Sequence, residues 1–165
     1  MSWDLYVVPP EHAEDPSEWL ESVAEEPGDA AAARAHAHLV KERRPELEEF
    51  GPDESGTIEL SAPEQSGLPF QVFLDGRSAG INVAYWDMGD RTEALADLVE
   101  DVVTALTAHT GWIAFDPQED RPLDVHELRA AFSGGHAEGV GYVAEIVAEE
   151  SEPRPSRFRR LWGRH

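Results

Sequence analysis

The pattern of apolar and polar residues predicts a strand, a helix and a second strand in residues 78–118. In 78–86 (SAGINVAYW) apolar residues alternate with small or polar ones, which is the period of a half-buried strand. The next segment repeats apolar residues at spacings of three and four, which indicates an amphipathic helix. Gly111 suits the end of that helix, and the apolar run 112–115 before Asp116 predicts a second strand. The helix residues that we expect in the core are Leu95, Leu98, Val99, Val102, Val103 and Leu106.

The first fifty residues predict one strand and two or three helices. Residues 3–8 alternate as a strand, and a proline suited to the first helical position begins a helix over 16–25. Asp29 can cap an alanine-rich helix that extends to residue 44. Pro45 then either kinks that helix or begins a further short helix over 45–50.

Turn and cap signals connect the middle elements. Residues 57–62 and 68–74 have the composition of strands, and the Asp-Gly pair at 75–76 is a hairpin signal that leads into the central strand. Asp90 and Glu93 have the three-residue spacing of a capping box, so we expect them to cap the central helix.

The C-terminal third of the chain is less regular. Residues 117–122 are expected to form a loop, and a capping pattern at Asp124 predicts a short helix to Phe132. The small residues 133–135 would end that helix. Residues 139–147 fit a strand by their alternation or a helix by their spacings of three and four, and two glycines favour the strand.

Together these elements indicate an α+β fold. We expect a mainly antiparallel sheet of about five strands with helices packed on one face, as a variant of the ferredoxin-like fold. At 165 residues the chain fits one domain, which we place at 1–148. In 149–165 proline, serine, glutamate and arginine dominate, which is typical of a linker followed by a basic arginine/aromatic tail.

Composition excludes several kinds of site. With zero cysteines the chain has no disulfide, no thiolate metal site and no cysteine nucleophile. The G-x-S-x-G elbow that would position a serine nucleophile does not occur either. The sequence therefore favours a non-enzymatic protein and gives no sign of a cofactor. The opening residues MSWDLYVVPPEH lack the basic start and cleavable apolar segment of a signal peptide, which predicts a cytoplasmic protein.

Charge is distributed very unevenly along the chain, whose formal net charge is -21. Residues 1–153 hold all 34 acidic residues and 8 basic ones, a formal charge of -26, whereas 154–165 hold five arginines. The acidic body would repel nucleic acids and anionic membranes and attract basic proteins or cations. Solubility alone is the alternative explanation of this acidity.

Two surfaces are candidates for partner binding. The polar face of the central helix carries Asp97, Glu100 and Asp101. The tail alternates arginines with apolar residues that share a helical face, so it could contact a membrane, a nucleic acid or another protein, or fold back on the acidic body. The candidate tail residues are Arg157, Phe158, Arg159, Arg160 and Trp162.

Asp87, Asp90 and Asp116 lie at the junctions of the central unit and are candidate ligands for calcium or magnesium. The structural alternative is that Asp90 caps the helix and Asp116 is a solvated residue at a strand end. His36 and His38 are two residues apart, about 200° around a helix, so they cannot readily share one metal ion. We expect them to be exposed helical histidines.

Two further features, His109 and the segment 133–136, are not expected to form functional sites. His109 lies near the end of the central helix, where the partial negative charge favours its protonated form. Residues 133–136 (SGGH) could offer backbone amides to an anion, but no strand precedes them and no Walker lysine follows, which favours a turn.

The stretches 1–7 (MSWDLYV) and 110–118 (TGWIAFDPQ) resemble segments of small uncharacterised bacterial α/β proteins, some of them immunity proteins of toxin systems. The resemblance implies no catalytic residues. Together with the acidic body it leads to the hypothesis of a non-enzymatic binding module whose acidic surface meets a basic protein. The alternatives are a small metal-dependent enzyme or ligand-binding protein that uses the carboxylates from Asp87 to Asp116, and a scaffold recruited by its basic tail.

Overall fold

An open, entirely antiparallel sheet of seven strands forms the centre of the structure. The computed structural model describes residues 2–23, 26–84 and 89–151. Within them the strand order is β2-β3-β4-β5-β1-β6-β7, which corrects the expected number of about five and does not confirm a ferredoxin-like variant. The strands are β1 (Ser2–Val8), β2 (Glu48–Phe50), β3 (Ile58–Ser61), β4 (Phe70–Leu74), β5 (Ala79–Ala84), β6 (Ile113–Asp116) and β7 (Arg121–Leu123).

Within the described ranges, four α-helices and three short 3-10 helices accompany these strands, which confirms the α+β class. None of the helices in the described ranges combines the length and the apolar character that crossing a membrane needs. The helices are α1 (Pro16–Val23), α2 (Ala30–Arg43), α3 (Thr92–Thr110) and α4 (Val125–Ser151), with 3-10 helices at Pro10–His12, Glu64–Ser66 and Gly89–Arg91.

Helix α3 packs between α2 and α4 on one face of the sheet. The six α3 residues that the sequence assigned to the core are all buried, and they share one cluster with inward-facing strand residues such as Leu5 and Ile81. Burying a side chain of this size contributes about 1.5–3 kcal/mol. Gly111 ends the helix in the left-handed conformation, with φ of 71°, as predicted.

Helix α1 lies against the opposite face of the sheet. Its Leu20 borders a cleft together with Tyr6, Phe73 and Gly80, which alternate with the core-facing residues of β1, β4 and β5. Arg77 holds the end of α1, because its Nη2 donates to the carbonyl oxygen of the last α1 residue at 3.2 Å. The expectation that helices cover one face therefore holds for α2, α3 and α4 but not for α1.

The two edge strands of the sheet were not expected from the sequence. The helix predicted over 45–50 is wrong, because β2 lies there and pairs with β3, with Phe50 opposite Glu59. The loop predicted over 117–122 contains the start of β7, where Arg121 pairs with Asp116 of β6. All three β2 residues are exposed, so this strand has no buried side to produce an alternating pattern.

Helix α4 replaces several predicted elements. It runs unbroken from Val125 to Ser151, so the predicted end at 133–135 and the strand over 139–147 are both wrong. The helix also extends past residue 148, where the sequence placed the end of the domain. The predicted capping of this helix by Asp124 is confirmed, because Oδ1 of Asp124 accepts a hydrogen bond from the backbone N–H of His126 at 2.8 Å.

Packing against the first strand explains why one of the α4 residues, Gly135, is a glycine. Trp3 is buried and meets Phe132 edge to face, with ring centroids 5.0 Å apart. Gly135, one turn farther along α4, lies against the same indole: a Cβ there would be 3.0 Å from Cδ1. The glycine therefore allows a close approach between helix and strand rather than ending the helix.

We expect Gly134→Ala and Gly135→Ala to change stability differently. Gly134 is exposed and a Cβ there meets nothing within 4 Å, so alanine should raise the free energy of unfolding by about 0.5–1 kcal/mol. At Gly135 the added methyl group meets the buried Trp3, so the variant should gain less stability or lose some. Urea denaturation of both variants measures the difference. Clear destabilisation by Gly134→Ala would contradict a continuous helix at this point.

Candidate functional site

Arg129 of α4 forms ion pairs with three carboxylates of α3. Its guanidinium donates to Glu93 at 2.9 Å, to Glu100 at 3.0 Å, and to Asp97. Asp97 and then Glu100 raise the pKa of Arg129. The arginine side chain is 39% exposed, so water screens these ion pairs and each adds little stability. Their main effect is charge balance at two of the carboxylates predicted to bind a partner.

Arg44 balances the third predicted carboxylate of α3. Its Nε lies 2.8 Å from Oδ2 of Asp101, which joins the end of α2 to α3. The same guanidinium also reaches Glu46 at 3.3 Å. The α3 carboxylates are thus engaged by arginines of the helical layer. The tail residues predicted with them, at 157–160 and 162, lie outside the described residues.

The carboxylates predicted as metal ligands have different surroundings. Asp116 is buried, and its Oδ1 accepts hydrogen bonds from the backbone N–H groups of Gln118 at 2.8 Å and Glu119 at 3.3 Å. It orders the β6–β7 turn, so the expectation of a solvated strand end is wrong. Asp90 is exposed before α3, and Asp87 lies outside the described residues. Among residues 2–23, 26–84 and 89–151, no group of three or more histidines, aspartates or glutamates could hold a metal ion.

The capping box predicted at the start of α3 is also wrong. Asp90 belongs to the 3-10 helix that precedes α3, and the capping position is Arg91, whose side chain makes no capping hydrogen bond. Glu93 instead forms its ion pair with α4. The hydroxyl of Thr92 donates to the carbonyl oxygen of Gly89 at 3.0 Å. The intervening 3-10 turn moves the start of the α-helix beyond the residue that the spacing indicated.

His36 and His38 differ in their surroundings on α2. His38 is exposed and lies 3.4 Å from Glu42. His36 is half-buried and packs edge to face on Trp112 with ring centroids 4.8 Å apart, so the expectation of exposure fails for this residue. Burial lowers the pKa of His36, although two nearby aspartates oppose the shift. Its Nδ1 is buried without a hydrogen-bond partner in the described part of the chain.

The remaining two candidate histidines have structural positions. His109 places its Nδ1 3.1 Å from the carbonyl oxygen of Ala105 near the end of α3, which fits the structural role expected for it. His136 is buried in α4, with its Nε2 3.3 Å from the carbonyl oxygen of Ala84 in β5. Residues 133–136 are helical, so neither the predicted turn nor an anion-binding loop is formed there.

An aromatic row crosses the sheet on the face away from α2, α3 and α4. Its members lie directly opposite one another in the register of all seven strands. Phe50 is 53% exposed and Phe73 is 39% exposed, whereas Phe115 at the other end is buried. Clustered exposed aromatic side chains are typical of protein interfaces. The aromatic row consists of Phe50, Glu59, Phe73, Gly80, Tyr6, Phe115 and Pro122.

Tyr6 is the most constrained ring of this row that still reaches solvent. It lies over Gly80, where an added Cβ would be 3.7 Å from Cε1 of the ring. Burial, followed by the charge of Asp4, raises the pKa of Tyr6. The phenol therefore stays protonated at neutral pH and can donate a hydrogen bond to a ligand.

A polar row lies beside the aromatic one on the same face. Ser61, Gln71, Asn82 and Asp4 are opposite one another across β3, β4, β5 and β1. Asn82 donates to Oδ1 of Asp4 at 2.7 Å, and Gln71 donates to Oε1 of Glu59 at 2.9 Å. These hydrogen bonds hold the polar side chains in place, so the sheet offers ordered acceptors next to its aromatic rings.

Helix α1 adds an acidic cleft, which we call the α1 cleft. It has a volume of about 410 Å³ and lies between α1 and the 3-10 helix before it. The rings of His12 and Trp19 stack in it, with centroids 4.4 Å apart. A hydrogen bond with Asp15 and then its charge raise the pKa of Glu18, which shows how closely the carboxylates approach. Within the described ranges no ion pair neutralises the acidic residues of this cleft, which are Glu11, Glu14, Asp15 and Glu18.

The aromatic row and the α1 cleft together suit the recognition of a cationic, partly apolar surface. Carboxylates next to the stacked Trp19 ring attract a lysine or arginine side chain by charge and by cation–π attraction. The aromatic row provides apolar contact area. Sequence reasoning missed both features, because the register between distant strands brings Phe73 opposite the Gly80–Tyr6 pair. The local signals of this outward face were the alternating patterns of β1 and β5, where Asp4, Tyr6, Gly80 and Asn82 lie between buried residues.

Protonation of His36 should destabilise the fold. Because burial lowers its folded-state pKa below the ordinary 6.5, its contribution is fully present above pH 6.5 and is lost as the pH falls through the folded-state value. His36→Gln should therefore reduce the loss of unfolding free energy between about pH 7.5 and pH 5. His38→Gln, on the exposed side of the same helix, should not. Urea titrations at each pH measure both, and an equal pH dependence in wild type and His36→Gln would refute the assignment.

Comparison with known proteins adds no functional assignment. Searches against protein-family models, curated proteins and solved structures found no match to this chain. The resemblance of 1–7 and 110–118 to immunity-type proteins therefore stays a prediction. In the structure these stretches contain β1 and β6, which pair with each other, and β6 lies next to the edge strand β7. Function is consequently argued from the chain's own geometry.

Proposed function

We propose that the protein is a non-enzymatic binding module that captures a basic protein on its aromatic row and α1 cleft. The observation that carries this proposal is the aromatic row, which leaves Phe50 and Phe73 exposed on a sheet face. Aromatic residues near the centre of an interface commonly supply most of its binding energy. The partner would therefore place apolar side chains on this row.

Uncompensated charge supports a basic partner and favours this side of the molecule. The α3 carboxylates already face Arg129 and Arg44, whereas the described residues provide no cation for the α1 cleft. Edge strand β2 adds the exposed Glu48 next to Phe50. With a net charge of -21, the protein would also attract a cationic partner over a distance and accelerate the encounter.

The side chains of the surface define the kind of segment that would fit. An arginine or lysine can lie against Trp19 and between the carboxylates of the α1 cleft. Apolar residues of the same segment can contact Phe73, while Gln71 and Asn82 offer polar atoms beside it. A partner surface that combines basic and apolar residues is thus complementary to both features.

An immunity-type role is the specific form of this proposal. Such a protein binds a toxin tightly enough to cover its functional surface, and a basic toxin is the complementary partner of an acidic protein. The acidic composition and the resemblance of two short stretches support this form. A cytoplasmic location is part of this proposal, because it would allow the protein to neutralise a toxin within the producing cell.

The proposal is tested by capturing proteins from a lysate of the native host with the full chain at low salt. We expect one basic protein in stoichiometric amount, released at high salt because screening weakens surface charge pairs. With that protein purified, Phe73→Ser should weaken binding by roughly tenfold or more, as loss of an aromatic anchor does. Glu18→Lys should slow association and weaken binding by roughly several-fold.

Two matched variants control this experiment. Tyr142→Ser removes another exposed aromatic ring, and Asp90→Lys reverses another exposed charge, both outside the aromatic row and the α1 cleft. We expect binding by these controls to equal that of the wild type. The proposal is wrong if no basic protein is retained, or if the controls weaken binding as much as Phe73→Ser and Glu18→Lys do.

A further inference from the structure

Helix α4 and the β6–β7 turn border a cleft of about 430 Å³, the α4 cleft, which lies outside the proposed partner surface. Two aromatic side chains line it, the buried Trp3 and Tyr142, which is 55% exposed. Three carboxylates line it as well, those of Asp116, Glu119 and Glu138. Carboxylates next to aromatic rings are the groups that bind a guanidinium ion.

Two of these carboxylates lack a cation among the described residues. Glu119 is engaged by Arg121, whose Nε lies 2.5 Å from Oε2, whereas Glu138 is exposed and takes part in no ion pair there. Asp116 is only 3% exposed, and the hydrogen bonds that it accepts from the turn all go to Oδ1. No hydrogen bond to its Oδ2 is formed by the described residues, and Asp116 lines the cleft. A guanidinium group in the cleft could donate a charge-assisted hydrogen bond to this oxygen.

The chain itself carries a segment of complementary chemistry. Residues 154–165 contain five arginines and no acidic residue, and three large apolar residues lie between them, Phe158, Leu161 and Trp162. We propose that the α4 cleft binds this arginine/aromatic tail of the same chain. One arginine of the tail pairs with Asp116 and Glu138, and an aromatic side chain packs against Tyr142.

The length of the chain allows the tail to return to this cleft. Tyr142 lies nine residues before the end of α4 at Ser151, which is about 14 Å along the helix axis. The 14 residues that follow Ser151 can span up to about 46 Å. Because the tail is tethered, its effective concentration near the cleft reaches roughly the millimolar range, so modest contacts suffice. Two acidic bodies repel each other, which disfavours the tail of a second copy.

A spin label on the tail tests this proposal directly, because the chain has zero native cysteines. Gly163→Cys carries the label in the otherwise intact protein, and amide NMR signals that lose intensity identify the residues near it. At low salt we expect the greatest loss at Glu119, Glu138 and Tyr142, with recovery at high salt. Glu138→Gln should restore most of the lost intensity, whereas Glu14→Gln in the α1 cleft should not.

Three outcomes would overturn the assignment. The first is an intensity loss centred on α1 that Glu14→Gln relieves and Glu138→Gln leaves unchanged. The second is a weak loss spread evenly over the protein. The third comes from a mixed sample, in which one protein carries the spin label but no isotope and the other carries the isotope but no spin label. A loss of signal at the α4 cleft in this mixture would show that the tail of a second copy binds there. These results are independent of Phe73, so they are separable from the test of partner binding.

Discussion

Burial of α3 against the sheet is the constraint on which the rest of the structure depends. This helix contributes eight buried residues, of which the six leucines and valines are each worth about 1.5–3 kcal/mol on burial, and α2 and α4 take their places on either side of it. Its polar side then meets one arginine from each neighbour, Arg44 from α2 and Arg129 from α4. The acidic residues of α3 are consequently part of the packing of the helical layer.

Because of this packing, some carboxylates of the protein form ion pairs with arginines and others do not. On the helical layer, the carboxylates of α3 form ion pairs with Arg129 and Arg44, and a partner would have to displace Arg129 to reach Glu93, Asp97 and Glu100. In the α1 cleft the described residues form no such ion pair, and the nearby sheet face exposes aromatic rings. A cationic partner drawn by the net charge would therefore find unpaired carboxylates next to exposed apolar area on this side of the molecule.

The sequence predicted the elements that bury one side, because alternation and helical spacing report burial directly. β1, β5 and α3 are of this kind. It failed for β2, whose residues are all exposed, and for α4, where contact with Trp3 requires Gly135 despite its low helix propensity. It singled out Asp116 but not its burial, which the β6–β7 turn produces. The aromatic row depends on strand register, as in the pairing of Tyr6 with Phe115, and local patterns carry no such information.

The location of the binding surface is most directly tested by NMR titration of the full chain with a synthetic peptide of alternating arginine and leucine. If the unpaired charge of α1 and the aromatic row form the surface, the largest amide shifts should occur in α1, β1 and β4, and they should decrease with salt. Residues 93–101 of α3 should change little, because their carboxylates are held by Arg129 and Arg44. Shifts concentrated at 93–101, with α1 and the sheet unaffected, would contradict this account.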